Sequence, residues 1–305
     1  MKSSLSPKIV FIVGPTAVGK TAVGLSIALQ TPCEIISCDS MQVYREIAIA
    51  SSKPSLTERK KVFHHLLDVI SVEEKFDVAA FNKLATQAVE DILAKNKCPL
   101  IIGGSGMYVQ VLLDGIFEAG GQDLALRQKL ESQDVKILYE KLKKVDPAAA
   151  TKIHANDLRR IVRALEVYET TKTPISKLQK QRAGLWGKYP VEIFGLNRDR
   201  EELYDLINRR VDQMFDDGLV DEVQAIAGRK LSLTAQRIIG VSEGLSYLRK
   251  EKTLAEAKEL MKMNTRRLAK RQLTWFRKDE RIKWLMLKAG DTAKDISQKI
   301  LKDFQ

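Results

Sequence analysis

GPTAVGKT, residues Gly14 to Thr21, decides the fold. A short apolar run, Ile9 to Val13, precedes it, and a helical pattern from about Thr21 to Leu29 follows. Strand, glycine loop and helix in that order, with the full GxxxxGK[ST] spacing, form the context of a phosphate-binding P-loop. Gly14 and Gly19 let the backbone turn so that successive N–H groups converge on an anion. The helix N-terminus adds partial positive charge. Lys20 supplies a cation, and the Thr21 hydroxyl suits a Mg²⁺ ion. The loop as a whole, with Pro15, Thr16, Ala17 and Val18 between the glycines, predicts a bound di- or triphosphate without saying which reaction follows.

Working outward, Glu34 to Ser37 reads as a second strand leading into CDSMQVYR. So short a strand–helix–strand unit predicts a parallel pair. It places Asp39 and Ser40 at the carboxyl edge of the sheet, where open α/β sheets bind ligands. There Asp39 serves either as a turn or cap residue or as a group facing the phosphates. Pro99 to Ile102 is a fully apolar third strand, as in a sheet covered on both faces. It runs into GGSGMYVQ, whose glycines predict close backbone approach to a ligand and whose single hydroxyl is Ser105. An ordinary ATPase would often carry a Mg²⁺-binding Asp at that strand end. Val191 to Leu196 and Ile282 to Leu287 complete the predicted strands. His64 and His65, being adjacent, would point to opposite sides of an extended segment and are given no catalytic role.

Residues 122–189 read as a mostly helical insertion rich in Lys and Arg, dividing an α/β core made of 1–121 and 190–305. After Val191–Leu196, an amphipathic helix repeats Leu203, Ile207, Val211 and Phe215 and ends at Gly218. TLAE at Thr253–Glu256 is a capping-box pattern for a long helix reaching about Arg277. Along that helix Met261, Leu268 and Trp275 read as core, and Arg266, Arg267, Lys270, Arg271, Arg277 and Lys278 form the densest basic stretch. The 305 residues carry 51 Lys plus Arg against 39 Asp plus Glu, a net +12, which suggests a polyanionic partner such as nucleic acid. Cys33, Cys38 and Cys98 form neither a metal-ligand pattern nor an even disulfide set, and read as reduced thiols of a cytoplasmic protein. MKSSLSPK lacks the apolar core of a signal peptide, and no stretch has the length of a membrane span.

Taken together these motifs resemble the tRNA dimethylallyltransferase family over nearly the whole chain. The P-loop alone is generic. More specific are DSMQVYR (39–45), HHLLDV (64–69), GGSGMYV (103–109), NDLRRIVRALEVYE (156–169), RVDQMFDDGLVDEV (210–223) and KRQLTWFRKD (270–279). The resemblance implies transfer of a dimethylallyl group from its diphosphate to N6 of adenosine 37, beside the anticodon of tRNAs reading codons that begin with U. The P-loop would hold the leaving diphosphate, with Mg²⁺ bridging to Thr21. Asp39 would be the general base, Ser105 would contact the reacting centre, and Arg210 of the pair Arg209–Arg210 would contact the diphosphate. Contacts to the tRNA anticodon stem-loop are implied for Asp39, Ser40, Met41, Gln42, Ser105 and Arg127. They are implied as well for Arg159, Arg160, Ile161, Val162 and Arg163, and for Lys270, Arg271 and Gln272. A monomer is expected.

The chain departs from the family pattern in VYREIAIASSKP (43–54), where Glu46 and Ala50 stand for glycines, at Val241, where the family has Tyr, and in FEAGGQD (117–123), which lacks prolines. Three other readings compete. A P-loop small-molecule kinase explains the loop but not the charge or the insertion. An isopentenyltransferase acting on free nucleotides has less need of a tRNA-gripping segment. An RNA-binding module without activity has no use for a P-loop beside Asp39.

Overall fold

The computed structural model describes residues 8–117 and 123–303. The chain runs through β1 (Ile9–Val13), α1 (Lys20–Ala28), β2 (Cys33–Ser37), α2 (Leu56–Lys61), β3 (His64–His65), α3 (Val78–Ala94), β4 (Cys98–Gly103) and α4 (Gly106–Asp114). There follow α5 (Leu124–Glu131), α6 (Val135–Val145), α7 (Pro147–Ala150), α8 (Leu158–Thr171) and α9 (Ile175–Leu178). The last part holds β5 (Val191–Asn197), α10 (Arg200–Asp216), α11 (Leu219–Ile226), α12 (Val241–Leu248), α13 (Leu254–Phe276), β6 (Lys283–Met286) and α14 (Ala293–Lys302).

The strands form one parallel sheet in the order β3-β2-β4-β1-β5-β6. Every residue of β1, β2 and β4 is buried; β1 and β4 read as continuous apolar runs rather than alternating ones, while β2 also carries the buried Glu34 and Ser37. Along β1, Ile9, Phe11 and Val13 pack under α3 and α4, while Val10 and Ile12 pack under α1, α10, α13 and α14. β1 and β2 do not pair directly as the sequence predicts: β4 lies between them. An entirely apolar strand such as β4 is stable only with a neighbour on each edge and a helix layer on each face. His64 and His65 form the edge strand β3, too short for any periodicity to announce. His65 Nε2 lies 2.8 Å from the Glu34 carboxylate, which Lys95 and Lys97 also contact. Burial pulls Glu34 up, but these three partners outweigh it and hold the carboxyl at about 2.

The chain forms two compact units, one of Met1–Leu113 with Leu185–Gln305 and one of Asp114–Gly184. The second unit thus begins before residue 122 and ends before 189, and the expected boundary at 121/122 lies outside the described residues. Its core gathers Leu138, Leu142, Ala149, Leu165 and Val167 from α6, α7 and α8. Ile161 and Val162 are part of that core, with relative exposures of 0% and 1%. Their side chains hold α8 in place, so the contact to tRNA expected of this stretch falls to its backbone and to the exposed arginines beside them.

Candidate active site

The carboxyl ends of β1, β2 and β4 converge on one cavity of about 570 Å³. β1 delivers the P-loop. Gly14, Ala17 and Gly19 take positive φ (141°, 64° and 105°), and Gly19 directly precedes α1, so the loop folds back onto the helix N-terminus. Lys20 Nζ donates to the carbonyls of Gly14 (3.0 Å) and Pro15 (2.7 Å). Thr16, Lys20 and Thr21 line the cavity. The backbone N–H of Thr16 donates to Gln272 Oε1 at 2.8 Å.

β2 delivers Asp39, which also lines the cavity and accepts the Met41 N–H at 2.9 Å. Desolvation raises the Asp39 carboxyl above its ordinary value, against the pull of the Met41 N–H, Lys20 and Arg210. Desolvation also lowers Lys20 to about 7, with Asp39 raising it and Arg210 lowering it further. Arg210 Nη1 reaches Thr16 Oγ1 at 3.4 Å. Of the arginine pair, Arg210 lines the cavity, whereas Arg209 is exposed and outside it. One carboxylate therefore faces two cations, all three short of solvent. This arrangement is poised for a multiply charged anion beside a group that can take a proton.

β4 delivers the GGSG turn, whose Gly103 lines the cavity. A Cβ on Gly103 would lie 1.9 Å from the Cys38 carbonyl oxygen, and one on Gly104 would lie 2.3 Å from Gln272 Nε2. They admit the chain's own neighbouring segments at the cavity wall. Ser105 Oγ accepts the Ser40 N–H at 3.2 Å and donates to Ser40 Oγ at 3.5 Å, a long bond that an entering acceptor can replace.

Ser40, Met41 and Gln42 line the same cavity. The Gln42 amide is already engaged: its oxygen accepts from Ser37 Oγ (2.7 Å) and its nitrogen donates to the carbonyls of Ser51 (3.3 Å) and Ser52 (3.2 Å). The unusual loop 43–54 is held firmly. Glu222 accepts the N–H groups of Ala48, Ile49 and Ala50 at 2.6, 2.7 and 2.9 Å. Glu46 accepts from Ser71 Oγ and the Val72 N–H and pairs with Arg229 at 2.7 Å. Val241 is fully buried in the cluster around Val43, Tyr44 and Met261. Lys53 and Arg237, unassigned in the sequence, also line the cavity. Lys53 is bound to Asp68 and the Tyr44 carbonyl, whereas Arg237 is exposed with no ion-pair partner among the described residues.

In the helical unit the expected tRNA contacts divide. Arg127 and Arg163 both bind the buried Glu166 (2.6 and 2.9 Å). Burial raises Glu166, and the two guanidiniums more than reverse it. Arg159 is exposed, and exposed Arg160 makes only a 3.4 Å contact to Asp157. In the other unit Lys270 and Arg271 are exposed, and Arg271 lines the cavity. Arg266, counted in the basic stretch, is instead tied to Asn208 Oδ1 at 2.6 Å.

Among the described residues no cluster of His, Cys, Asp or Glu could cage a metal ion, and no helix is long and apolar enough to cross a membrane. All three cysteines are free and buried.

Comparison with known proteins agrees with this geometry. A family model described as IPP transferase matches residues 42–279. The tRNA dimethylallyltransferase of Halothermothrix orenii is 41% identical over 97% of this chain and 93% of its own length. That of Carboxydothermus hydrogenoformans is 44% identical over 97% and 96%. Among solved structures, the full-length tRNA isopentenylpyrophosphate transferase of Bacillus halodurans is similar with a TM-score of 0.72 at 38% identity, covering 97% and 96% of the two chains. A eukaryotic dimethylallyltransferase acting on tRNA gives 0.81 at 30% identity, covering 96% of this chain and 75% of its own.

Proposed function

The chain belongs to the IPP transferase family, and we propose that it transfers the dimethylallyl group of dimethylallyl diphosphate to N6 of adenosine 37 in tRNAs that read codons beginning with U. The enzyme acts in the cytoplasm as a monomer on the anticodon stem-loop. The single observation that carries the reading is Asp39 lining the same cavity as Lys20, Thr21 and Arg210.

The donor diphosphate occupies the P-loop, with Lys20 and Arg210 on its oxygens. The hydroxyl of Thr21, free of hydrogen bonds among the described residues, lines the cavity and would hold a Mg²⁺ ion there. When bound, that ion neutralises charge on the departing diphosphate. Ala50, Met214, Ile238, Ile239 and Met261 line another part of the wall and suit the apolar prenyl chain. The target adenine enters flipped out of its loop, where unstacking costs least.

Its amine is a weak nucleophile, because the lone pair is delocalised into the ring. As N6 bonds to the allylic C1 of the donor, the C1–O bond breaks, diphosphate leaves, and the N6 proton passes to the Asp39 carboxylate. The raised affinity of Asp39 for a proton suits that role. Ser105, its hydroxyl oriented by the Ser40 N–H, can donate to the entering base.

The test is incubation of purified protein with dimethylallyl diphosphate, Mg²⁺ and unmodified tRNA carrying A36-A37-A38, followed by nucleoside analysis. N6-(dimethylallyl)adenosine in the tRNA supports the reading. ATP turnover without tRNA, or prenylation of free nucleotide alone, overturns it.

A further inference from the structure

On α13, Met261, Thr265, Leu268 and Gln272 recur at helical spacing and line the cavity. Trp275 is the next residue of that stripe, one turn past the cavity wall. It is not core, as its spacing in the sequence suggests, but 38% exposed. Its indole lies on the backbone of Gly106, where an added Cβ would come within 2.3 Å of Cδ1. Gly106 follows Ser105 directly, so the ring packs on the residue next to one that lines the cavity. Met107, the residue after Gly106, is 53% exposed. Arg271, four residues before Trp275, and Lys278, three after it, are exposed, as are Arg267, Lys270 and Arg277. None of these five cations has an ion-pair partner among the described residues.

We propose that Trp275 is a stacking platform for a nucleobase flanking the target adenosine, with Arg271 and Lys278 on the adjoining phosphates. The inference rests on the reading of the substrate as tRNA. Withdrawing one base into the cavity leaves its neighbour without a stacking partner. An aromatic ring braced on one side by glycine backbone and open on the other replaces that partner without regard to base identity. Unpaired cations around the ring match the phosphates on either side of the splayed base. The reading explains why an indole is left at the surface in the chain's densest basic stretch.

The test compares Trp275→Phe, Trp275→Leu and Trp275→Ala in binding an anticodon stem-loop RNA carrying A36-A37-A38. Binding of dimethylallyl diphosphate serves as the control for an intact core. Phe keeps a π-face, whereas Leu keeps bulk on Gly106 without one. The expected result is near-normal RNA affinity for the Phe variant and a loss of about 5- to 100-fold for Leu and Ala. Donor binding should be unchanged in all three. RNA should also quench indole emission in the native protein, and quench it less in the Phe variant. Equal RNA affinity for Leu and Phe, or no difference in quenching, reduces Trp275 to a packing residue and overturns the platform while leaving prenyl transfer intact. A native protein that binds no RNA removes the substrate reading itself.

Discussion

Gln272 of α13 and Thr16 of the P-loop, 256 residues apart in sequence, are joined by a 2.8 Å hydrogen bond from the Thr16 N–H to the Gln272 amide oxygen. The same amide fills the space that Gly104 leaves open. The helix that carries Lys270 and Arg271 is thus fastened to the loop expected to carry the diphosphate. Gln272, expected from the resemblance to touch tRNA, braces the donor loop. Gln272→Ala should therefore weaken donor binding by about 5- to 20-fold, as loss of a partly buried hydrogen bond does. Affinity for tRNA should change far less. Titration of each substrate alone decides it; a loss confined to tRNA would return Gln272 to the RNA-binding surface.

The pH dependence follows from two neighbours. Lys20, lowered to about 7 by burial, loses its proton as pH rises through neutrality in the ligand-free enzyme, and with it its charge for the diphosphate. Asp39, raised by burial, gains a proton as pH falls and then cannot act as a base. Donor kcat/KM should be bell-shaped, with an alkaline limb near 7 set by Lys20 and an acid limb above the ordinary Asp range. At saturating donor the alkaline limb should move up, because bound diphosphate favours charged Lys20. A kcat/KM profile flat from pH 6 to 9 would contradict this coupling.

The arginines of the helical unit should separate by salt dependence. Replacing exposed Arg159 and Arg160 with Ala should lower the slope of log Kd for tRNA against log salt by about two contacts, at roughly 0.7–0.9 each. Replacing Arg127 and Arg163 strips the buried Glu166 of both cations and leaves it only the Asp123 N–H at 3.2 Å. That pair of changes should first appear as a lower Tm, since an orphaned buried charge costs about 3–5 kcal/mol. Binding across a salt series, together with thermal melts, tells the two pairs apart. An identical slope for the Arg159/Arg160 double variant would make those side chains an ordinary solvated face.

Much of this was legible in sequence because the P-loop signal is local: spacing, flanking strand and helix all lie within Ile9–Ala28. Caps were equally local, and the Thr253–Glu256 box forms. What the sequence hid depends on distant partners. Nothing near Ile36 announces that β4, not β1, lies beside β2. Nothing near Gly104 announces the side chain of Gln272. Glu166 looks like one more charge on a basic helix until folding buries it beneath Arg127 and Arg163. Ile161 and Val162 lie within a basic run yet fall on the helix face that the unit's core requires. Trp275 kept the period of a core residue, but the helix passes beyond the cavity there, so the same period leads to the surface.

The central claim is that Asp39 removes the N6 proton while a prenyl diphosphate sits in the P-loop. Single-turnover formation of N6-(dimethylallyl)adenosine in tRNA by the native enzyme and by Asp39→Ala, with donor affinity measured in parallel, tests it most directly. The account predicts a rate lower by about 10²–10⁴-fold in the variant, with donor affinity little changed. Near-native turnover by Asp39→Ala would contradict it.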